Sequence, residues 1–319
     1  MALALSPPLE PQLARSAAEV PVGERWSYEP KFDGFRAIAF VDGAQVTLQS
    51  RGGRPLERYF PELRFPAGGY VLDGEIVIDA GDGGQDFGAL QQRIHPAASR
   101  VALLSRSTPA TYVAFDLLAL GGESLIGRPF AERRAALEEL ARRSGFDQAG
   151  VRVTPVTRDP AATGAWLGDG EGVVAKDRRA PYRPGERRGM VKVKRVRTID
   201  AVLAGWRPGK EPGTVGSLIL GLFGPDGQLR IVGHSSGLSA REKRELPARL
   251  APYETGERGR GEPSRWQGER ELEWIALRPE LVVEVAFDHA SGGRIRHGTR
   301  IVRWRTDKPA SECRIEQMS

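Results

Sequence analysis

The chain has 319 residues, 40% of them hydrophobic and 28% charged, which is typical of a soluble globular protein of about two domains. Its one cysteine, Cys313, excludes an intramolecular disulfide and a thiolate metal cluster, and no apolar stretch reaches the ~18–20 residues that span a membrane. The net charge of +6 suits nucleic acid as a partner without requiring it.

Residues 1–25 form a proline-rich lead-in without the basic region that a secretory signal needs, so we expect a cytoplasmic protein. The stretch RWSYEP then predicts a short strand that ends at Pro30. Asp42-Gly43 joins two β-rich runs and is a strong hairpin signal. The next run, YVLDGEIVID, alternates apolar and polar residues, as expected for a half-buried strand.

The middle of the chain alternates helical and strand patterns. DFGALQQRIH has helical spacing, and ATYVAFDLLAL is apolar enough to predict a central strand. RPFAERRAALEELARRSG is the clearest amphipathic helix, with Pro129 near its start and Gly145 just after its end. EGVVAKD and GMVKVKR predict two further strands, separated by a basic loop rich in proline and glycine.

The pattern changes after Arg197, where short strands alternate with turn signals around one helix, SAREKRELPARLAPY. Five or so short strands plus one helix predict a small β-barrel. We therefore predict two domains, residues 1–196 and 197–319.

Several charged residues lie inside otherwise apolar strand segments. The chain has no Walker-type phosphate loop, so side chains must hold any nucleotide. A single buried charge is usually a structural ion pair, but charges on several such segments are harder to explain that way. These residues are Lys31, Asp33, Arg36, Glu75, Asp116, Glu171, Lys192 and Lys194.

Two lysines, Lys192 and Lys194, share one face of their predicted strand and repel each other unless an anion lies between them. The alternative is an edge strand from which both point to solvent. A lysine that attacks phosphorus must be neutral, and nearby cations favour the neutral amine. Glu171 and Glu75 could bind Mg²⁺ or a ribose hydroxyl, and Phe115 could stack on a base. Together with the lysines, these residues are suited to the attack of a lysine on a nucleotide phosphate.

The segment KFDGFR resembles the K-x-D-G-x-R motif of the covalent nucleotidyltransferases, the ATP-dependent DNA ligases, RNA ligases and capping enzymes. Five further stretches match in the family order: SRGG, LDGEIVI, YVAFDLL, EGVVAK and VKVK. Near the end, RWRTDKP resembles the family's R-x-D-K motif, and LSPPLEPQLA and PYRPGERR resemble small bacterial end-joining-type DNA ligases. Nearly the whole chain is covered.

The resemblance implies an α+β protein. A nucleotidyltransferase (ATP-grasp-like adenylation) domain of antiparallel sheets flanked by helices would be followed by a C-terminal OB-fold β-barrel. The reaction would use ATP and Mg²⁺ or Mn²⁺ to seal nicked or broken duplex DNA in repair. Lys31 would form a phosphoramidate with AMP, and Lys192 and Lys194 would hold the α-phosphate. Glu171, with Glu75 as a second candidate, would assist the metal.

Other matching positions would bind the nucleotide. Glu29 would lie beside adenine and Phe115 would stack on it, while Glu75 would hold the ribose hydroxyl. Asp33 would orient the lysine loop or serve as a turn carboxylate, and Lys176 would lie in the site or at the surface. The remaining implied contacts are Arg36 and Arg51 at the ribose or phosphates, and Arg305, Asp307 and Lys308 at the pyrophosphate end when the OB domain closes.

One position departs from the family pattern: Met190 stands where many relatives carry tryptophan.

Two alternatives to an ATP-dependent DNA ligase remain. An RNA ligase or a GTP-using capping enzyme is the first, and a non-enzymatic nucleic-acid-binding OB protein is the second. Nothing in the sequence indicates a stable oligomer, so we expect a monomer that associates with the nucleoid when bound to DNA and that a repair protein could recruit.

Overall fold

The computed structural model describes residues 3–81, 84–168, 170–195, 197–261, 272–287, 289–291, 293–297 and 299–318. The chain divides into two compact units, Met1–Arg195 and Val196–Ser319. The sequence-predicted boundary falls at Val196, which lies outside the described residues. Both units are built mainly from antiparallel strands with a few helices, so the predicted α+β class is confirmed. No helix in the described ranges combines the length and apolar character needed to cross a bilayer.

The described strands of the first unit form two main sheets. One sheet has the order β4-β3-β5-β6-β7 with β8 paired to β6, and the other has the order β1-β10-β9-β2. The strands are β1 (Arg15–Ser16), β2 (Trp26–Pro30), β3 (Phe35–Gly43), β4 (Gln45–Ser50), β5 (Gly68–Val77), β6 (Thr111–Leu120), β7 (Glu123–Ser124), β8 (Val151–Val153), β9 (Gly172–Asp177) and β10 (Met190–Lys194). The helices are α1 (Phe87–Gln92), α2 (Ala98–Ser107), α3 (Phe130–Ser144) and α4 (Gly164–Gly168).

The predicted hairpin is confirmed, since Asp42 pairs with Gln45 across a turn in which Gly43 has a φ of 61°. The prediction of a half-buried β5 is wrong, because the strand is buried on both faces from Tyr70 to Val77 except at Glu75. One face packs in the main core, and the lead-in residues Leu3, Leu5 and Leu9 pack against the core on the other.

Helix prediction succeeded where caps and burial were clear. α3 begins after Pro129 and ends at Gly145, whose φ of 65° is the left-handed conformation that favours glycine. Helix α2 was not predicted from the sequence. It begins without a side-chain cap, and Val101 and Leu104 are its buried residues.

The second unit is a seven-stranded antiparallel sheet, a β-hairpin and one helix in its described residues, which confirms a β-rich domain with more strands than the five or so predicted. The sheet order is β13-β12-β11-β15-β14, and β16 joins β11 to β19. Its elements are β11 (Arg197–Pro208), β12 (Val215–Phe223), β13 (Leu229–Ser235), α5 (Ala240–Leu250), β14 (Glu254–Gly261), β15 (Leu272–Leu277), β16 (Val282–Phe287), β17 (His289–Ser291), β18 (Arg294–His297) and β19 (Arg300–Trp304). The predicted helix α5 starts with a capping box between Ser239 and Glu242.

Candidate active site

The first unit contains a cavity of about 230 Å³ that gathers most of the sequence-predicted site residues. The predicted residues in its lining are Glu29, Lys31, Asp33, Arg36, Arg51, Glu75, Phe115, Lys176 and Lys192. Glu171 and Lys194 lie beside or in β9 and β10 but outside this lining. Arg305, Asp307 and Lys308 belong to the second unit.

Lys31 is positioned by the end of β2. Its backbone N–H donates to the carbonyl oxygen of Gly172 at 2.9 Å, which ties it to the start of β9. Gly172 has a φ of 127°, and a Cβ there would collide with the carbonyl oxygen of Val193, so glycine permits this close approach. The Lys31 amine donates to the Phe32 carbonyl at 3.2 Å and lies in the cavity wall.

The lysine pair of β10 does not lie on a solvent-facing edge strand, so that alternative is wrong. Lys192 has Val174 of β9 on one side and Ser16 of β1 on the other. Burial lowers the pKa of Lys192, and the charges of Lys194 and Lys31 lower it further. Lys31 and Lys192 therefore line the cavity with Lys194 nearby, and a bound phosphate would relieve the repulsion among the three cations.

Glu75 supplies a carboxyl group to the same cavity from β5. Burial raises the pKa of Glu75 to about 7, although the charges of Arg36 and Lys31 oppose the shift. Near neutral pH this group therefore exists in both protonation states and can donate or accept a hydrogen bond. That behaviour suits contact with a sugar hydroxyl.

Glu75 is expected to make stability depend on pH. Between pH 4.5 and about 7 the folded protein holds a proton that the unfolded chain has lost, so stability falls as pH rises. Glu75→Gln removes this penalty, which a shift of that size puts at up to about 3 kcal/mol. Denaturant unfolding of both proteins at pH 4.5 and 8 checks this. The variant's gain should be larger at pH 8, and an equal difference at both pH values would contradict the assignment.

A buried network lies beside the cavity and orients Arg36. Its Nε and Nη2 donate to the two carboxylate oxygens of Asp73, both at 2.6 Å, and its guanidinium lies 4.4 Å from the centre of the Phe115 ring. Asp73 also accepts from the hydroxyl of Tyr182 at 2.7 Å. Arg36 therefore lines the cavity while two of its nitrogens are engaged by Asp73, and it holds the aromatic ring as well as facing the ligand space.

Residues 9–17, which we call the strap, include residues 11–14, which form one wall of the cavity. The N–H of Gln12 donates to Tyr182 at 2.9 Å, and the N–H of Leu13 donates to the carbonyl of Glu186 at 2.9 Å. The N–H of Ala17 donates to the carbonyl of Lys192 at 3.0 Å. No role of this segment in the site was predicted from the sequence, because its backbone contacts with distant strands leave no periodic signal.

Tyr182→Phe is expected to loosen the strap, because the lost hydroxyl both donates to Asp73 and accepts from Gln12. We expect a loss of about 1–3 kcal/mol in the free energy of unfolding together with weaker nucleotide binding. Tyr70→Phe is the matched control, since it removes another buried tyrosine's hydroxyl, which donates to Pro66 away from the cavity lining. Denaturant unfolding and nucleotide titration measure the two effects. Equal nucleotide affinities in both variants would contradict a role for the strap.

Glu29 and Lys176 form a buried ion pair in the cavity wall, with Oε2 and Nζ 2.8 Å apart. The surface alternative for Lys176 is therefore wrong, and its amine also donates to the carbonyl of Phe115 at 2.8 Å. Burial raises the pKa of Glu29, and the charge of Lys176 opposes the rise. Within the described part of the protein, the buried Oε1 of Glu29 has no hydrogen-bond partner, although Arg134 lies 3.6 Å away. Oε1 is therefore buried within an ion pair and lacks only a hydrogen bond.

The cavity lining also includes two exposed arginines, Arg51 and Arg187, and the apolar residue Met190. Arg51 was predicted from the sequence, whereas Arg187 was not, because it is one of several arginines in the basic loop between β9 and β10. Met190 lines the cavity at the position where the family pattern has tryptophan. The backbone N–H of Asp33 contacts Gln85 at 3.3 Å.

The described residues include no group of three or more His, Cys, Asp or Glu side chains that could hold a metal ion. Mg²⁺ needs only one or two protein carboxylates when phosphate oxygens complete its shell. Glu171 precedes Gly172, whose carbonyl oxygen accepts from the Lys31 backbone N–H, but it is not part of the cavity lining. Asp116 is not part of the site, since Arg133 binds both its oxygens at 2.8 Å.

The sequence matches two family models, described as ATP dependent DNA ligase domain over residues 11–194 and ATP dependent DNA ligase C terminal region over residues 211–308. DNA ligase C1 of Mycolicibacterium smegmatis is 43% identical over 338 residues, which cover 100% of this chain and 96% of that protein. DNA ligase C of Mycobacterium tuberculosis is 44% identical over 346 residues, with coverage of 100% and 96%.

A solved structure of mycobacterial DNA ligase D complexed with ATP and MES is 33% identical, with a TM-score of 0.54 and coverage of 96% of this chain and 97% of that one. The multifunctional non-homologous end joining DNA repair protein LigD of Mycobacterium tuberculosis is 33% identical over 295 residues, 89% of this chain and 36% of that protein.

Proposed function

This chain belongs to the ATP-dependent DNA ligase family, and we propose that Lys31 carries its activity by accepting AMP from ATP in the cavity of the first unit. The protein is an ATP-dependent DNA ligase that acts in DNA repair. The assignment of roles to individual residues is our proposal. Its main support is that Lys31 and Lys192 line one cavity together with Glu29, Glu75 and Phe115.

The first step loads the enzyme. The lone pair of the Lys31 amine attacks the α-phosphorus of ATP, an N–P bond forms, and the bond to the bridging oxygen breaks. Pyrophosphate leaves with that electron pair, and the amine releases a proton to solvent. Negative charge grows on the phosphate oxygens. Lys192, which lines the cavity, is proposed to stabilise this charge, with Lys194 two residues along the strand.

The next two steps transfer the nucleotide. An oxygen of the DNA 5′-phosphate attacks the phosphorus of lysyl-AMP, and the N–P bond breaks as a phosphoanhydride forms. The 3′-hydroxyl at the nick then attacks the 5′-phosphorus, loses its proton and displaces AMP. Arg51 and Arg187, exposed in the cavity lining, are proposed to hold the phosphates during these exchanges.

Mg²⁺, or Mn²⁺ in its place, would supply Lewis-acid assistance at the phosphate oxygens when bound. We propose Glu171 as its protein carboxylate. We assign Glu75 to the ribose hydroxyl rather than to the metal, because its pKa of about 7 leaves it partly protonated near neutral pH.

Base selection is proposed to involve Glu29. Its buried Oε1 is an acceptor with no hydrogen-bond partner in the described residues. The exocyclic amine of adenine donates a hydrogen bond, whereas guanine presents a carbonyl oxygen at the same position and would leave two acceptors facing each other. This supports ATP over GTP. Phe115, next to the Glu29–Lys176 pair, is the proposed platform for the base.

The decisive experiment incubates the protein and Mg²⁺ with labelled ATP or GTP, and then adds nicked duplex DNA or the matching RNA. We expect label on the protein from ATP only, and its release with a sealed strand when nicked DNA is added. Labelling from GTP would favour a capping-type enzyme, and sealing of RNA alone would favour an RNA ligase. Absence of any covalent nucleotide would overturn the proposal.

The second unit is proposed to act in nucleotide loading and in holding DNA. Arg305, Asp307 and Lys308 would meet the pyrophosphate end of ATP during the first step. Duplex DNA would be held mainly through its phosphates, with an affinity that falls steeply as salt increases. We further propose that the protein works as a monomer and that a repair protein recruits it.

A further inference from the structure

Asp200, near the start of β11, holds two cations of the second unit together. Arg305 Nη1 donates to its two carboxylate oxygens at 2.9 and 3.0 Å, and the amine of Lys308 donates to Oδ2 at 2.8 Å. The Asp200 side chain is only 13% exposed, compared with 62% for Asp307, which binds the opposite side of the same guanidinium. The buried carboxylate is therefore the one that joins Arg305 to Lys308.

The backbone of Asp200 is fixed by its neighbours. The residue pairs with Glu284 of β16, and Gln317 accepts from the Asp200 N–H at 3.0 Å and donates to its carbonyl at 3.2 Å. The N–H of Arg305 donates to the carbonyl of Val282 at 2.9 Å. The backbones at both ends of the ion pair are thus attached to adjacent strands.

Asp200 brings the two cations, Arg305 and Lys308, together at the oxygens of its own carboxylate. Without Asp200, Arg305 and Lys308 would repel each other and separate. With it, the guanidinium and the amine are fixed at a distance set by a single carboxylate, whose two oxygens are spaced much like two oxygens of a phosphate. Fixing both donors in advance avoids the entropy cost of gathering them during the reaction.

We propose that Asp200 is a positioning residue for nucleotide loading, which orients Arg305 and Lys308 so that they reach the pyrophosphate end of ATP together. The inference rests on the proposed function, in which those two cations act on the pyrophosphate. Asp200 contacts the cations and not the substrate, so its effect is transmitted through them. Its removal should therefore affect only the step in which pyrophosphate leaves.

The test compares two steps in Asp200→Asn. One assay measures formation of lysyl-AMP from ATP, and the other measures sealing of a nick whose 5′-phosphate already carries AMP, in which no pyrophosphate takes part. We expect lysyl-AMP formation to fall about 10- to 100-fold, the cost of misplacing groups that must act in concert. Sealing of the adenylated nick should change less than about threefold. An equal loss in both assays, or no loss in either, would overturn the inference.

Two further variants serve as controls. Asp200→Glu keeps the charge and should lose less lysyl-AMP formation than Asp200→Asn. Glu284→Gln makes the same acid-to-amide change one strand away, where the partner is Arg303, and should leave both assays unchanged. Thermal unfolding shows whether each variant is folded at the assay temperature. If Asp200→Asn is not, the two assays on Asp200→Glu decide by the same criterion.

Arg305→Ala separates this inference from the proposed function. If it lowers lysyl-AMP formation while folded Asp200→Asn does not, the positioning role is overturned and the proposed function stands. If Arg305→Ala leaves lysyl-AMP formation intact, the roles of both residues in loading are overturned. A loss in both variants, confined to the loading step, supports the inference.

Discussion

Lys31→Ala is expected to abolish covalent capture of AMP, lowering lysyl-AMP formation by at least about 10⁴-fold, because the variant has no nitrogen nucleophile at this position. The wild-type protein should become labelled by ATP whose α-phosphate is radioactive, and the label should survive denaturing electrophoresis and be lost in acid. The variant should remain unlabelled at any ATP concentration. Without the Lys31 amine the N–P bond to AMP cannot form at this position. We therefore expect no other single substitution in the cavity to lower lysyl-AMP formation as much.

Two controls show that the loss is chemical and not structural. Lys210→Ala removes an exposed lysine of the second unit and should leave labelling unchanged. The Lys31→Ala protein should still seal a nick that already carries AMP, because that step needs no lysine nucleophile. Label on the Lys31→Ala protein would place the nucleophile elsewhere and contradict the mechanism.

Lys192→Ala is expected to have the second largest effect, lowering the rate of lysyl-AMP formation about 10²- to 10³-fold. Its amine lines the same cavity as Lys31 and is near enough to Lys31 and Lys194 for their charges to lower its pKa. The loss should appear in the rate at saturating ATP, because charge on the phosphate oxygens is greatest in the transition state. Single-turnover labelling across a range of ATP concentrations measures the rate and the affinity separately.

Lys192→Arg helps to identify what the site requires. Arginine keeps the positive charge but has a planar group in place of a compact ammonium, so we expect only partial recovery. Lys210→Ala again serves as the control. If Lys192→Ala raised the ATP concentration needed for half-maximal labelling and left the maximal rate unchanged, Lys192 would bind ATP without stabilising the transition state.

The sequence predicted the residues of the site better than their partners. Lys31, Glu75, Phe115 and Lys192 were selected because charged or aromatic groups lie within apolar strand segments, and all four line one cavity. Their contacts could not be predicted in the same way. The bonds of Arg36 to Asp73 and of Tyr182 to Asp73 join residues 37 and 109 positions apart, and no local pattern records such distances.

The strap and the Asp200 cluster show what else the sequence analysis missed. Gln12 lies in a proline-rich segment without helical or strand periodicity, and its contribution is a backbone wall rather than a reactive side chain. Asp200 begins an ordinary strand pattern and becomes distinctive only because Arg305 and Lys308 return to it from over 100 residues later in the chain.

The sequence by itself determined which residue types are present for the proposed chemistry: a lysine, its neighbouring cations and carboxylates, and an aromatic residue, in an order that resembles that of the DNA ligases. This is possible because each reactive group requires a particular type of residue, and the amino-acid sequence gives the residue types directly. Only the tertiary structure decided which of these groups face one cavity, that Lys176 is buried against Glu29, and that Asp200 holds Arg305 and Lys308. Those outcomes depend on strand register and long-range packing, which bring together residues whose separation along the chain carries no information about their distance in space.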